Sequence, residues 1–152
     1  MKGIQEISII PGIPIRPALA ERLNDAESIL QKIGPCAVQP KLDGIRLQIH
    51  IDKRKHPSVI RLYSRNLLEL SPMFPDIVSA LHDFPVQTLI VEGEAICINP
   101  KTGDFLPFQM TIKRKRKYDI EKTTENFPIQ LYLFDILFFN GSLLFKKPHS
   151  KR

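Results

Sequence analysis

The chain holds only two cysteines, no internal repeat, and no apolar run approaching the about eighteen residues needed to cross a bilayer. Cys36 and Cys97 lie far apart without a CxxC pattern or a Cys/His companion, so neither a zinc site nor a disulfide framework is signalled, and two partly buried thiols are expected. The start, Met1-Lys2-Gly3-Ile4-Gln5-Glu6, lacks the apolar core of a signal peptide. These absences point to an intracellular protein without membrane partners, cytoplasmic or nucleoid-associated, or nuclear if the source is eukaryotic. With 43% apolar and 25% charged residues, nothing in the composition argues for disorder, a collagen-like repeat or low complexity. At 152 residues with no visible linker, the chain reads as one domain.

What is present is a net charge of +6 with an uneven distribution. Residues 1–40 and 41–100 are each balanced, while residues 101–152 carry eleven basic and five acidic side chains. The excess includes the run Lys113-Arg114-Lys115-Arg116-Lys117, the footprint of a phosphate-rich partner such as nucleic acid. A solvated helix face or a targeting signal gives the same pattern.

The spacing of apolar residues sets the element expectations. A Pro-rich stretch from Ile10 to Pro17 predicts an extended lead-in. Leu19, Leu23, Ala26, Leu30 and Ile33, followed by Gly34-Pro35, predict an amphipathic helix over 18–33 packed on a core. Ile45, Leu47, Ile49 and Ile51 alternate with Arg46, Gln48, His50 and Asp52, a strand with one buried face and a polar face free to meet a ligand. Further strands are predicted at 58–64, 88–98 and 129–139, and helices at 75–84 and 105–117. The first helix of that pair should turn Ile77, Ala80, Leu81 and Phe84 to one side. Asn140-Gly141 supplies a type I′ hairpin turn into a returning strand at 142–145. The fold class is α+β, dominated by antiparallel strands, with a sheet of about five strands that looks unfinished.

The residues suited to chemistry lie in order along this frame. Lys41-Leu42-Asp43-Gly44 stands before the first strand and is a weak signal alone. It is followed by Arg46, Ser64-Arg65-Asn66, Val91-Glu92-Gly93-Glu94 and Leu133-Phe134-Asp135. Glu92 and Glu94, two apart on a strand, point to one face. A carboxylate inside an otherwise apolar strand requires a metal, a hydroxyl or a cation beside it.

Taken together, these segments resemble the nucleotidyltransferase domain of the ATP-dependent DNA ligases, in particular the archaeal and eukaryotic replicative-type group. Gly12 to Arg22 is similar to that group's lead-in, and Lys113–Ile120 to a basic segment between its motifs. The resemblance implies an ATP-grasp-like fold, ATP as cosubstrate, Mg²⁺ as cofactor and nicked double-stranded DNA as partner. It implies that Lys41 is the catalytic nucleophile, attacking the α-phosphate of ATP, expelling pyrophosphate and carrying AMP. Free lysine has a pKa near 10.4, so on the order of one in a thousand is neutral near pH 7, and a cation, Mg²⁺ or burial must activate it. By the same resemblance Arg46 and Arg65 meet the nucleotide or nick phosphates, Glu94 the ribose or Mg²⁺, and Phe134 stacks on adenine, a contact worth about 1–3 kcal/mol. Lys113, Arg114, Lys115, Arg116 and Lys117 are expected as nucleic-acid contacts.

Two departures qualify the likeness. Gln39 stands where these ligases usually carry a Glu that recognises adenine, so the amide can still bond the base but the charge is lost. The family's later Glu-Gly and Lys-x-Lys motifs, its OB-fold domain and its N-terminal DNA-binding domain find no counterpart in the sequence. The expectation is therefore a partial adenylation domain that does not seal nicks alone, its remaining part supplied as a separate chain if at all. Two alternatives stand beside it: an RNA ligase or mRNA-capping guanylyltransferase, which share the Lys-x-Asp-Gly logic, and a non-catalytic basic nucleic-acid-binding remnant.

Overall fold

A computed structural model describes residues 8–115 and 120–152 of the chain. Strands β1 (Ile45–Asp52), β2 (Val59–Tyr63), β3 (Thr88–Cys97), β4 (Ile129–Phe139) and β5 (Ser142–Leu143) form one antiparallel sheet in the order β2-β1-β3-β4-β5. Helices α1 (Ala26–Ile33), α2 (Pro75–His82), α3 (Phe108–Arg114) and α4 (Ile120–Asn126) accompany it, so the expected α+β antiparallel class holds.

One face of the sheet is the apolar core. Leu47, Ile49 and Ile51 of β1 lie beside Ile60 and Leu62 of β2 and Leu89 and Val91 of β3, and α2 covers them with Ile77 and Leu81. The α2 helix stops at His82, and Ala80 and Phe84 are exposed rather than turned to the core. The Asn140-Gly141 turn has φ of 43° and 88°, both positive as a type I′ turn requires, and joins β4 to a β5 shorter than the 142–145 expected. Asn140 also accepts hydrogen bonds through Oδ1 from the backbone N–H groups of Gln87 and Thr88, both at 3.0 Å.

The polar face of β1 departs from expectation, because most of it is not free. Gln48, His50 and Asp52 are 4%, 0% and 2% exposed. Arg54 takes the Asp52 carboxylate, and the Pro-rich lead-in lies across the other two: Gly12 N–H donates to His50 Nδ1 at 3.0 Å, and Ile15 N–H donates to Gln48 Oε1 at 2.7 Å. Gln48 Nε2 returns a hydrogen bond to Ile15 O at 3.0 Å, and Tyr63 donates its hydroxyl to Gly12 O at 2.7 Å. Prolines cannot donate, so the fastening N–H groups come from residues between them. Only Arg46, at the start of the strand, keeps its side chain one-third exposed.

Helix α1 begins at Ala26 and not at Ala18. Asp25 caps it, accepting from Ser28 N–H at 2.7 Å, and Gly34, at φ 69°, ends it by donating to Leu30 O at 2.9 Å. None of its residues is buried, and Leu19, Leu30 and Ile33 are well exposed, so the helix is held by its caps rather than by the core contact its periodicity suggested. Helix α3 is also shorter than predicted: Phe105 pairs in a bridge with Ile98, and the helix runs only from Phe108 to Arg114, residues 116 and 117 of the expected span lying outside the described residues. The short α4 was not anticipated, since Ile120–Asn126 offers no apolar stripe.

His50 titrates at about 4, below its ordinary 6.5, because burial disfavours the imidazolium. Gly12 N–H occupies Nδ1, so the neutral ring carries its proton on Nε2 and donates to Gln48 Oε1 at 2.9 Å. With the folded pKa depressed, this contribution to stability is complete above pH 6.5 and is lost as pH falls toward 4; the difference corresponds to roughly 3 kcal/mol. The urea unfolding midpoint should therefore fall between pH 6.5 and 5, and His50→Leu should flatten that slope. An unchanged slope in the variant would assign the loss to other groups.

Candidate active site

An open polar cleft of about 670 Å³ gathers side chains from four parts of the chain: the loop Lys41 to Gly44 with Ile45 and Arg46, the turn Ser64-Arg65-Asn66, Glu94 of β3, and Lys115 at the end of α3. The approach of the first loop to β3 depends on Gly44. A Cβ there would stand 2.4 Å from Ala95 O and 2.7 Å from Ile96 Cγ1, contacts no L side chain tolerates. The absence of a side chain lets Gly44 N–H donate to Glu94 Oε1 at 3.1 Å, which brings the loop carrying Lys41 and Asp43 over the carboxylate. Burial raises the pKa of Glu94; the Gly44 N–H and the positive charges of Lys41 and Arg46 oppose that rise, and Asp43 adds to it.

Arg65 is held by a tight turn after β2. Ser64 N–H donates to Leu68 O at 2.9 Å, Leu68 N–H donates to Ser64 Oγ at 3.1 Å, and Leu67 sits at φ 63°. Arg65 and Asn66 are thereby presented at the tip, on the cleft.

The remaining predicted residues form a second group beside the first. Arg46 pairs with Glu92, whose other oxygen accepts from Gln48 Nε2 at 3.1 Å. The Arg46 guanidinium carbon also lies 5.2 Å from the centre of the Phe134 ring. Phe134 is the extra residue of a β-bulge: Glu92 faces Asp135 and Gly93 faces Leu133, leaving Phe134 unpaired and able to reach Arg46. Gln39 Nε2 donates to Phe134 O at 3.3 Å and lies 2.9 Å from His149 Nε2. Phe134 borders a separate, mainly apolar cavity of about 400 Å³ and not the polar cleft. Lys41, Arg65 and Glu94 thus share one cavity, Gln39 and Phe134 share another region, and Arg46 bridges them.

The basic run divides. Arg114 is fully buried, pairing with Asp76 of α2, donating to Thr124 Oγ1 of α4 and lying 5.6 Å from the Phe74 ring centre. Its guanidinium is not presented to a nucleic-acid backbone, which corrects that expectation, because Asp76, Thr124 and the Phe74 ring enclose it between α2, α3 and α4. Lys113 lies 5.7 Å from the Phe127 ring centre, Lys115 lines the polar cleft, and Arg116 and Lys117 lie outside the described residues. Sequence reading missed Gln48 as the support behind Glu92 and Lys115 as a wall of the cleft. The first was legible as the period-two partner of Arg46, whereas the second had no local signal.

Among the described residues no group of three or more His, Cys, Asp or Glu is gathered to hold a metal ion. Asp43 and Glu94 are the carboxylates of the cleft, and such a pair fits Mg²⁺ only in its usual mode, with one or two carboxylates supplemented by phosphate oxygens and water. No helix among the described residues is long and apolar enough to cross a membrane.

Substituting Gly44→Ala should push the Lys41 loop from β3, lower stability by about 1–3 kcal/mol and perturb the Glu94 environment. Thermal unfolding, together with the amide signals of Gly44 and Ala95, checks this. An alanine variant with wild-type stability would show that the approach is not constrained.

The family described as the ATP dependent DNA ligase domain matches residues 17–152. A probable DNA ligase of Dictyoglomus thermophilum is 47% identical across the whole chain, which spans 26% of that protein; a DNA ligase of Thermoplasma volcanium is 44% identical, with the same 26% spanned. The chain therefore spans about a quarter of the length of these curated relatives. A solved mycobacterial DNA ligase D, complexed with ATP and MES, superposes with a TM-score of 0.57 at 21% identity over 75% of this chain and 33% of that one, a likeness of fold. With the family match running from Pro17 to Arg152 and whole-chain identities above 40% to these ligases, the chain belongs to the ATP-dependent DNA ligase family, as a region of its adenylation domain.

Proposed function

We propose that this chain carries the lysine-adenylating centre of an ATP-dependent DNA ligase, as part of its adenylation domain. The observation that carries the reading is the convergence of Lys41, Arg65, Arg46 and Glu94, far apart in sequence, on one polar cleft. Membership in the ligase family supplies the class of reaction.

In this reading Lys41 Nζ, having lost a proton, attacks the α-phosphorus of ATP in line. A nitrogen–phosphorus bond forms, the bond to the bridging oxygen breaks, and pyrophosphate leaves. Asp43 and Glu94 with the phosphates would hold Mg²⁺, which when bound offsets charge on the transferring phosphoryl group. Glu94 can alternatively meet a ribose hydroxyl, its charge already opposed by burial and supported by Gly44 N–H. Arg46, oriented by Glu92 and Gln48, spans from the phosphate region toward Phe134, where the base stacks with Gln39 beside it. AMP then passes to the 5′-phosphate of a nick in duplex DNA, and attack by the 3′-hydroxyl closes the strand and releases AMP. Lys113, Arg116 and Lys117 serve the DNA backbone.

Intact mass after incubation with ATP and Mg²⁺ tests the first step. The wild-type chain should gain the mass of one AMP group and Lys41→Ala should gain none. Absence of the increment in folded wild-type protein would overturn autonomous adenylation, and an increment in both would place the modification on another residue. The same assay with GTP separates a guanylyltransferase.

A further inference from the structure

Lys115 is set in place by two anchors on the helix before it. Thr111 Oγ1 accepts from the buried backbone N–H of Cys97 at 3.0 Å, tying α3 to β3 three residues beyond Glu94. Arg114, immediately before Lys115, is locked between Asp76 and Thr124 with its side chain wholly buried. Lys115 N–H then closes the helix on Ile112 O at 3.0 Å. The next residue after a fixed guanidinium has little freedom in where its backbone lies, and this one lies on the wall of the Lys41 cleft.

The cleft has a direction. Phe134 and Gln39, the residues suited to a base, lie on the β4 side, outside it. Its own walls hold no aromatic side chain and carry Lys41, Arg46, Arg65 and Lys115 against only Asp43 and Glu94. A nucleotide with its base toward Phe134 and its α-phosphate at Lys41 must run its remaining phosphates into this cationic region. An ammonium is a compact point charge on a long stem, suited to non-bridging phosphate oxygens that shift as a bond breaks.

We infer that Lys115 binds the β- and γ-phosphates of a nucleoside triphosphate, and so the departing pyrophosphate, rather than the backbone of DNA. The inference rests on the reading of the cleft as a nucleotide site. It separates one member of the basic run from its neighbours: Lys113 turns to Phe127, Arg114 is structural, and Lys115 belongs to the leaving-group end.

Calorimetric titration of the full chain with α,β-methylene ATP, AMP and a 5′-phosphorylated nicked duplex tests it, the methylene bridge preventing adenylation of Lys41. Lys115→Ala should weaken the triphosphate about tenfold while leaving AMP and duplex affinity unchanged. Lys115→Arg should recover most of the loss, and Lys122→Ala, which removes an equal charge from exposed α4, should leave the triphosphate unaffected. Unchanged AMP affinity also shows that the Lys115→Ala variant is folded. Unaltered triphosphate binding, equal loss for AMP and triphosphate, or weakening confined to the duplex would each overturn the inference. If the wild-type chain bound neither nucleotide, the nucleotide reading of the cleft would itself fail and the inference with it; wild-type binding indifferent to Lys115→Ala defeats the inference alone.

Discussion

The antiparallel register between β1 and β3 is the constraint from which the site follows. It sets Arg46 opposite Glu94 and Gln48 opposite Glu92, while Leu47 and Ile49 face the core opposite Gly93 and Val91. Side chains alternate strictly along a strand, so a slip of one residue would drive two carboxylates into the apolar layer and Val91 onto the polar face. The hydrophobic pattern and the chemistry therefore enforce one another: the pairing that buries Ile45 to Ile51 is the pairing that assembles Arg46, Glu92, Glu94 and Gln48. Gly44 extends the same logic past the end of β1, since only a residue without a side chain can continue so close to Ala95 and Ile96.

Much of this was legible from residue order. Alternation located β1 and a long apolar run located β4, both at their observed bounds, and Asn140-Gly141 fixed the hairpin because both residues tolerate positive φ. Alternation does not say what covers a polar face, and here the lead-in does, through N–H groups of Gly12 and Ile15 that have no sequence signature. Helical spacing misplaced the start of α1, because the Asp25 cap was overlooked while Leu19 and Leu23 extended the pattern by coincidence. Of the candidate site, the loop Lys41 to Gly44 and Glu94 line one cleft, which residue order alone does not show. The position of Phe134 depends on a bulge, an irregularity that a period-two reading cannot contain.

The basic run shows why charge alone is a poor guide to contact. Five consecutive cations look equivalent as a composition, yet a short helix anchored at Thr111 and Arg114 sends the described ones to three environments. Burying Arg114 is tolerable only because Asp76 and Thr124 meet it and Phe74 receives its face; an isolated charge there would cost several kcal/mol. That arrangement joins α2, α3 and α4 into one unit beside the sheet, with the backbone of Lys115 next to it.

The two residues of β5 leave most of the outer side of β4 without a strand partner among the described residues, and Leu133, Phe139 and Leu143 are exposed along it. Along it Phe134 O accepts from Gln39 and Leu137 O from Leu144 and Phe145 N–H, so side chain and loop meet part of the edge in place of a strand. No proline and one inward acid, Asp135, interrupt the strand, and Arg152 neutralises that acid. This margin is therefore the one side of the described sheet where backbone and apolar side chains meet solvent together.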